Sequence, residues 1–290
     1  MDDGSLTAVD VHGTIQATIV STTHLVEEAR NRHKLSFTAA AALGRALTGA
    51  SLVLPVVAKR GRLTLKFQGD GPLGKVVVDA SAKGVVTGYV ANPRLELPPN
   101  SLGNLDVGRA IGSRGYLHVT VDTGFGPHTS TVELASGEVG EDLNKYLVSC
   151  QDTGSILIVG VHISRQGVEA AGGLLIQLLP DHTEETICMI ENNLASFGTF
   201  TFLMRRGMAL EDILKRGLQG FELRDLSPMQ PLRFDCRCSS ERFLQALRGM
   251  AKHDLIEMAQ QGEAEGRCQF CNAVYHVPGE RLIDIARGSG

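Results

Sequence analysis

The sequence predicts an α+β protein: antiparallel β-sheets packed around a buried central helix, then a helical linker, then a small C-terminal domain organised by cysteines. Three observations carry this. Residues 36–58 are apolar on nearly every face, residues 62–180 hold six short β-branched runs with few helices between them, and four of the six cysteines fall in the last fifth of the chain.

The 290 residues suffice for a substantial core plus one small extra domain. Hydrophobic residues at 43% and charged residues at 21% are ordinary globular usage. A net charge of -4 gives no general attraction to nucleic acid or to an anionic membrane, and neither is expected as a partner. The opening Met1-Asp-Asp-Gly-Ser-Leu lacks the basic and apolar regions of a secretory signal. The thiols are therefore expected in a reducing cytoplasm, where close-spaced cysteine pairs favour metal binding or redox sensing over permanent bridges.

Taken in order, Thr23–His33 has helical periodicity behind an N-cap at Thr22 or Thr23. Ser36–Ala58 is long enough to span a bilayer, but Arg45 near its middle and Gly44, Gly49 and Pro55 along it favour a buried central helix. The runs Leu63–Phe67, Lys75–Asp79, Val85–Val90, Tyr116–Val121, Ser155–Val161 and Leu174–Leu178 read as strands of antiparallel sheets on that helix. Gly69-Asp-Gly71-Pro-Leu-Gly74 matches a dinucleotide-binding pattern, yet a strand rather than a helix follows it, so it reads as a hairpin loop. Ala171-Gly172-Gly173 reads as the tight start of a strand.

After Pro180 the pattern turns helical, with Ile187, Ile190 and Leu194 within Glu184–Phe197, and Leu210, Ile213 and Leu214 further on. Glycines 198, 207, 217 and 220 punctuate these pieces, and Ser227-Pro-Met-Gln-Pro231 closes them. Domain bounds of 1–180 for the core, 181–233 for the linker and 234–290 for the C-terminal domain follow. The linker is expected to expose, or cover only lightly, Met189, Phe197, Phe200, Phe202, Met204, Met208 and Phe221. It is either an ordinary helical subdomain or an apolar surface held conditionally.

The clustered cysteines are Cys236-Arg-Cys238 and Cys268-Gln-Phe-Cys271, separated by 29 residues. Four cysteinates complete a tetrahedral shell for one Zn²⁺ and leave no open position for a substrate, which argues against hydrolytic zinc. The gap holds a helix starting after Ser239 or Ser240 and a second over Asp254–Gln260. His253 and His276 are read as surface or packing residues. Two other readings stay open on the residues alone. A nucleic-acid-binding zinc module would use Arg233, Arg237, Arg242, Arg248 and Arg267, although six acidic residues lie among them. A dithiol oxidoreductase would use Cys268 and Cys271, but no βαβ unit surrounds them and Cys236 and Cys238 would have no role.

The asymmetric pairing, C-x-C with C-x-x-C, resembles the Hsp33 family of redox-regulated bacterial chaperones. The likeness runs through Glu27-Glu-Ala-Arg-Asn-Arg-His33, Ala42-Leu-Gly-Arg-Ala-Leu-Thr48, Gly69-Asp-Gly-Pro72, Tyr89-Val-Ala-Asn-Pro93, Ser136-Gly-Glu138, Ala171-Gly-Gly173 with Gln177, and the cysteine pairs. The resemblance implies an ATP-independent holdase and not an enzyme, so no catalytic residue is expected. In such a protein Cys236, Cys238, Cys268 and Cys271 hold one zinc ion in the reduced, inactive state. Peroxide with heat, or hypochlorous acid, converts them into Cys236–Cys238 and Cys268–Cys271 disulfides. Zinc is then released, the linker and switch unfold, and a monomer becomes a client-binding homodimer. One departure is Ser149-Cys150-Gln151 where family members often carry Ser-Glu-Gln, followed by Asp152-Thr-Gly-Ser instead of a proline-containing turn. Cys150 and Cys188, outside the switch motif, are expected to be buried and inert.

Overall fold

The computed structural model describes residues 2–151, 154–224 and 227–288, and the chain divides into two compact units, 1–234 and 235–290. The Asp152 turn lies outside the described residues.

Unit 1 begins with a hairpin, β1 (Gly4–Asp10) and β2 (Ile15–Ser21), and then α1 (Thr23–His33). Thr22 occupies the N-cap position, but its hydroxyl is committed to Thr48 Oγ1 at 2.7 Å. Asp3 does the capping instead, accepting the Leu25 amide at 2.6 Å. Next comes α2 (Phe37–Val57), started by Ser36, whose side chain accepts the Ala39 amide. Its alanines, leucines and small residues bury it on all sides, and it touches strands of both large sheets. Among the described residues it is the one helix long and apolar enough to cross a membrane, and the fold buries it. Arg45, the charge in its middle, pairs with Glu138.

The chain continues through β3 (Arg62–Gly69), β4 (Lys75–Ser81), β5 (Val85–Val90), α3 (Val107–Ile111), β6 (Gly115–Asp122) and β7 (Pro127–Glu133). The glycine-rich segment is the loop between β3 and β4, as expected. A Cβ on Gly69 would meet the Ile111 carbonyl oxygen at 2.2 Å, so these glycines let α3 approach the backbone. Then follow α4 (Val139–Gln151), β8 (Ser155–Ser164) and β9 (Gly167–Leu178). Gly172 and Gly173 lie inside β9 and not at its start. Their missing Cβ atoms leave room for the Val20 and Ile158 carbonyls of the neighbouring strands and for Phe200.

The rest of unit 1, the segment expected to be a linker, forms α5 (Glu184–Ala195), α6 (Phe200–Arg205) and α7 (Leu210–Gly217), then three two-residue strands, β10 (Leu223–Arg224), β11 (Gln230–Pro231) and β12 (Arg233–Phe234). One sheet runs β10-β1-β2-β9-β8 with β11 also on β1, and the other runs β12-β5-β4-β3-β6-β7. All pairings in them are antiparallel except β12 with β5. Helices α5, α6 and α7 cover one face of the first sheet. Ile190, Phe197, Phe200, Leu203 and Ile213 share a buried cluster with Leu6, Ala8, Ile19 and Leu174. The expected light cover therefore holds unevenly. Phe197 and Phe200 are fully buried, Met204, Met208 and Phe221 pack at the cluster's margin, and Met189 and Phe202 are exposed.

Unit 2 comprises α8 (Ser240–Arg248), α9 (Lys252–Gln260), the hairpin β13 (Glu263–Arg267) and β14 (Val274–Pro278), and α10 (Gly279–Arg287). Ser239 caps α8 by accepting the Arg242 amide at 3.3 Å. The two helices expected in the 29-residue gap are α8 and α9. Their core is small: Leu247, Leu255, Ala264, Val277, Leu282 and Ile285, with Ala286.

Candidate metal centre

Two loops of unit 2 supply the four clustered thiols. Cys236 and Cys238 lie on the segment leading into α8, where the Cys236 amide donates to Asp235 Oδ1 at 2.8 Å. Cys268 and Cys271 lie on the turn joining β13 to β14. That turn is closed by two backbone bonds, Cys268 N–H to the Ala273 carbonyl at 2.9 Å and Asn272 N–H to the Cys268 carbonyl at 2.8 Å. Asn272 takes a left-handed conformation, φ 61°, which Asn tolerates better than most residues. Phe243 of α8 lies over Gly266, where a Cβ would stand only 2.1 Å from its ring, and this seats the helix against the hairpin.

The four Sγ atoms all lie within 4.8 Å of one another. The contacts between loops are short: Cys236 to Cys268 is 3.7 Å and Cys238 to Cys271 is 3.2 Å. Tetrahedral thiolates around zinc, at Zn–S of about 2.3 Å, stand about 3.8 Å apart, so the donor set and its spacing fit that ion. The sequence placed these four residues together, and the fold brings them together. His253 and His276 stay outside the set, exposed and paired with Asp254 and Glu263 respectively.

Charge distribution within the cluster is uneven. Burial pushes the Cys236 thiol well above its ordinary value and raises Cys271 to about 11. Burial also raises Cys238, but hydrogen bonds from Tyr275 and from the neighbouring thiols outweigh it and hold this thiol below its ordinary value. Tyr275 donates to Cys238 Sγ at 3.0 Å, and that bond pushes the Tyr275 phenol up to about 12. A dication among the four would supply the charge that favours their ionised forms. Tyr275 was missed from sequence. Its signal was its place four residues after Cys271 on an alternating run, Val274-Tyr275-His276-Val277.

Comparison with known proteins decides the family. A family model described as Hsp33 protein matches residues 3–278. The chain belongs to the Hsp33 family. It is 44% identical over 290 residues to a 33 kDa chaperonin of Gloeothece citriformis, covering 98% of this chain and 97% of that one. It is also 44% identical to that of Gloeobacter violaceus, covering 97% and 94%. The crystal structure of the 33 kDa chaperonin (heat shock protein 33 homolog) from Thermotoga maritima superposes with a TM-score of 0.92 at 35% identity, covering 98% of both chains. Hsp33 proteins are chaperones and not enzymes, and this chain has the family's mixed α+β architecture with its C-terminal four-cysteine cluster.

The two remaining cysteines differ from expectation. Cys150 and Cys188 are both exposed. Each sits on the outer side of a helix, α4 or α5, whose apolar stripe is filled by other residues: Leu143 and Leu147 in α4, Ile190 in α5.

Proposed function

We propose that this chain is a redox-regulated, ATP-independent holdase of the cytoplasm, inactive while reduced and zinc-bound. The observation that carries this reading is the gathering of four thiols within 4.8 Å in a unit with only a small apolar core. Cys236, Cys238, Cys268 and Cys271 are the ligands, with Tyr275 orienting Cys238. When bound, zinc supplies the charge that stabilises four thiolates at one point. Structural zinc contributes about 10–16 kcal/mol in small metallo-domains, comparable to or above the net stability of about 5–15 kcal/mol of a whole domain.

Oxidation removes that support. In each pair two thiolates give two electrons to one peroxide and form one S–S bond, and the peroxide takes two protons from solvent and leaves as two waters. The pairs are Cys236–Cys238 and Cys268–Cys271, as in the family. Such bridges close very short loops and restrict the unfolded chain little, so they do not replace the lost ligand set. Cytosolic thiols reduce them readily, which makes the device reversible. In this reading residues 1–180 are the core, 181–233 a linker released on oxidation, and 234–290 the switch. The linker's departure bares the apolar face formed by Leu6, Ala8, Ile19 and Leu174 to unfolded client proteins, and the oxidised protein is a homodimer.

Peptide mapping after peroxide treatment tests the ligand and disulfide assignment. Intact Cys236–Cys238 and Cys268–Cys271 peptides, appearing as zinc is released to a chromophoric chelator, are expected. Unchanged zinc content in Cys268→Ser would remove that residue from the set.

A further inference from the structure

The described residues 222–224 and 227–234, at the end of unit 1, contain no helix. They run as a strap along β1, the strand that would otherwise be an open edge of its sheet. Besides its two paired stretches, it is held by Val11 N–H to the Glu222 carbonyl at 2.8 Å, Ser227 N–H to the Thr7 carbonyl at 2.9 Å and Leu232 N–H to the Asp3 carbonyl at 3.1 Å, and by Thr7 N–H to the Ser227 side-chain Oγ at 3.0 Å. Pairing is antiparallel but interrupted. At one end Val9 and Asp10 face Arg224 and Leu223; at the other, Gly4 and Ser5 face Pro231 and Gln230. The two registers differ by two residues, so the strap carries two residues more than the strand it follows.

As a strand partner the strap is poor. Its two short paired stretches lie in different registers, and that shift interrupts the ladder between them. The edge itself accepts close approach of a partner: Gly4 has no Cβ, and one placed there would stand 2.6 Å from Met229 Cγ. Its two faces differ. Leu6 and Ala8 point into the apolar cluster beneath the linker helices, where Leu223 and Phe221 also pack. Ser5 and Thr7 line a cleft of mixed polarity with Ser51, Leu54, Lys59 and Val86, which Gln230 and Leu232 also line.

We propose that β1 is a strand-addition site, and that the strap occupies it as a weak internal substitute for client. This rests on the holdase reading above. Once the strap leaves, an extended segment of unfolded polypeptide, apolar at alternate positions, pairs antiparallel with Gly4–Asp10. An uninterrupted segment in one register makes the ladder bonds that the strap's register shift forgoes, and its apolar side chains continue the face of Leu6 and Ala8. Exposed edges of this kind template pairing with other chains.

The test uses the full chain in its reduced, zinc-bound and oxidised, zinc-free states. The probe is a peptide alternating Val and Thr with a Lys at each end, alongside one form N-methylated at every Val and another at every Thr. The parent peptide should bind the oxidised protein at least tenfold more tightly than the reduced one. One methylated form should lose at least tenfold and the other keep its affinity, because strand addition uses a single peptide edge. Hydrogen exchange at the Thr7 and Val11 amides should speed up on oxidation and slow again on adding the parent peptide. Equal binding of all three peptides, equal loss with both methylated forms, or peptide protection that spares Thr7 and Val11 would overturn the proposal. Failure of the holdase reading shows separately, as oxidised protein that does not suppress client aggregation at all.

Discussion

Tyr275 donates its hydroxyl hydrogen to Cys238 Sγ across 3.0 Å, from a position 37 residues further along the chain. The bond favours the ionised form of Cys238, helping to hold its thiol below the ordinary value from outside the four-cysteine set. Tyr275→Phe should therefore weaken zinc binding by about tenfold or more, the usual scale for groups that support a metal ligand. In reduced, chelator-treated protein the same change should raise the Cys238 pKa and slow its alkylation at neutral pH. Competition with a chromophoric chelator and the pH profile of alkylation read the two effects, and an unchanged profile would contradict the role given to Tyr275.

Glu27 organises the junction of α1 with β9. Its carboxylate accepts from Arg30 Nε at 2.8 Å, from Asn31 at 3.1 Å and from the Val168 amide at 3.0 Å. The Arg30 bond leads in holding its pKa below the ordinary 4.5, against the opposing effect of burial. A folded pKa below the unfolded one stabilises the fold above about pH 4.5, and that stabilisation is lost as pH falls through the folded value. Glu27→Gln should cost about 1–2 kcal/mol at pH 7, and the difference from wild type should shrink toward zero in acid. Denaturant melts at pH 7 and pH 3 check this.

Gly172 sits where β9 passes under α6. A Cβ there would meet the Val20 carbonyl oxygen at 2.4 Å and the Phe200 ring at 2.6 Å. Gly172→Ala should destabilise unit 1 by more than about 2 kcal/mol. It should also loosen the linker before the rest of the unit, seen as dye binding to exposed apolar surface in reduced protein at temperatures where wild type binds none.

Cys150 and Cys188 are exposed thiols without a place in the cluster. Replacing both with serine should leave zinc content and its release by peroxide unchanged. It should also remove disulfide-linked oligomers from oxidised samples on non-reducing gels. Persistence of those oligomers would mean that switch cysteines cross-link between chains.

The central helix was legible because sixteen of its 21 residues are buried and the sequence is apolar all round. The thiol cluster was legible because its ligands come in close-spaced pairs. The hairpin β1–β2 was not read. Thr18 and Ser21 are buried polar residues there, and the apolar partners of Ala8 and Ala17 arrive from linker helices far along the chain. β7 was missed because an exposed strand, Pro127–Glu133, has no buried face to impose alternation. α4 carried a signal that went unused: Val139, Leu143, Tyr146 and Leu147 at helical spacing, all buried. Expecting Cys150 and Cys188 to be buried followed residue type alone, whereas position on the helix decided the outcome. The strap along β1 was beyond sequence reading, since its register depends on which strand edge the fold leaves open.

The central claim is that oxidation of the four-cysteine cluster turns on client binding. Light scattering of a thermally unfolding client, with zinc release followed in the same samples, tests it most directly. Peroxide-oxidised, zinc-free protein should suppress aggregation at near-equimolar amounts, reduced zinc-bound protein should not, and re-reduction with zinc should restore the inactive state. Equal suppression by the two forms, or none by the oxidised one, would contradict it.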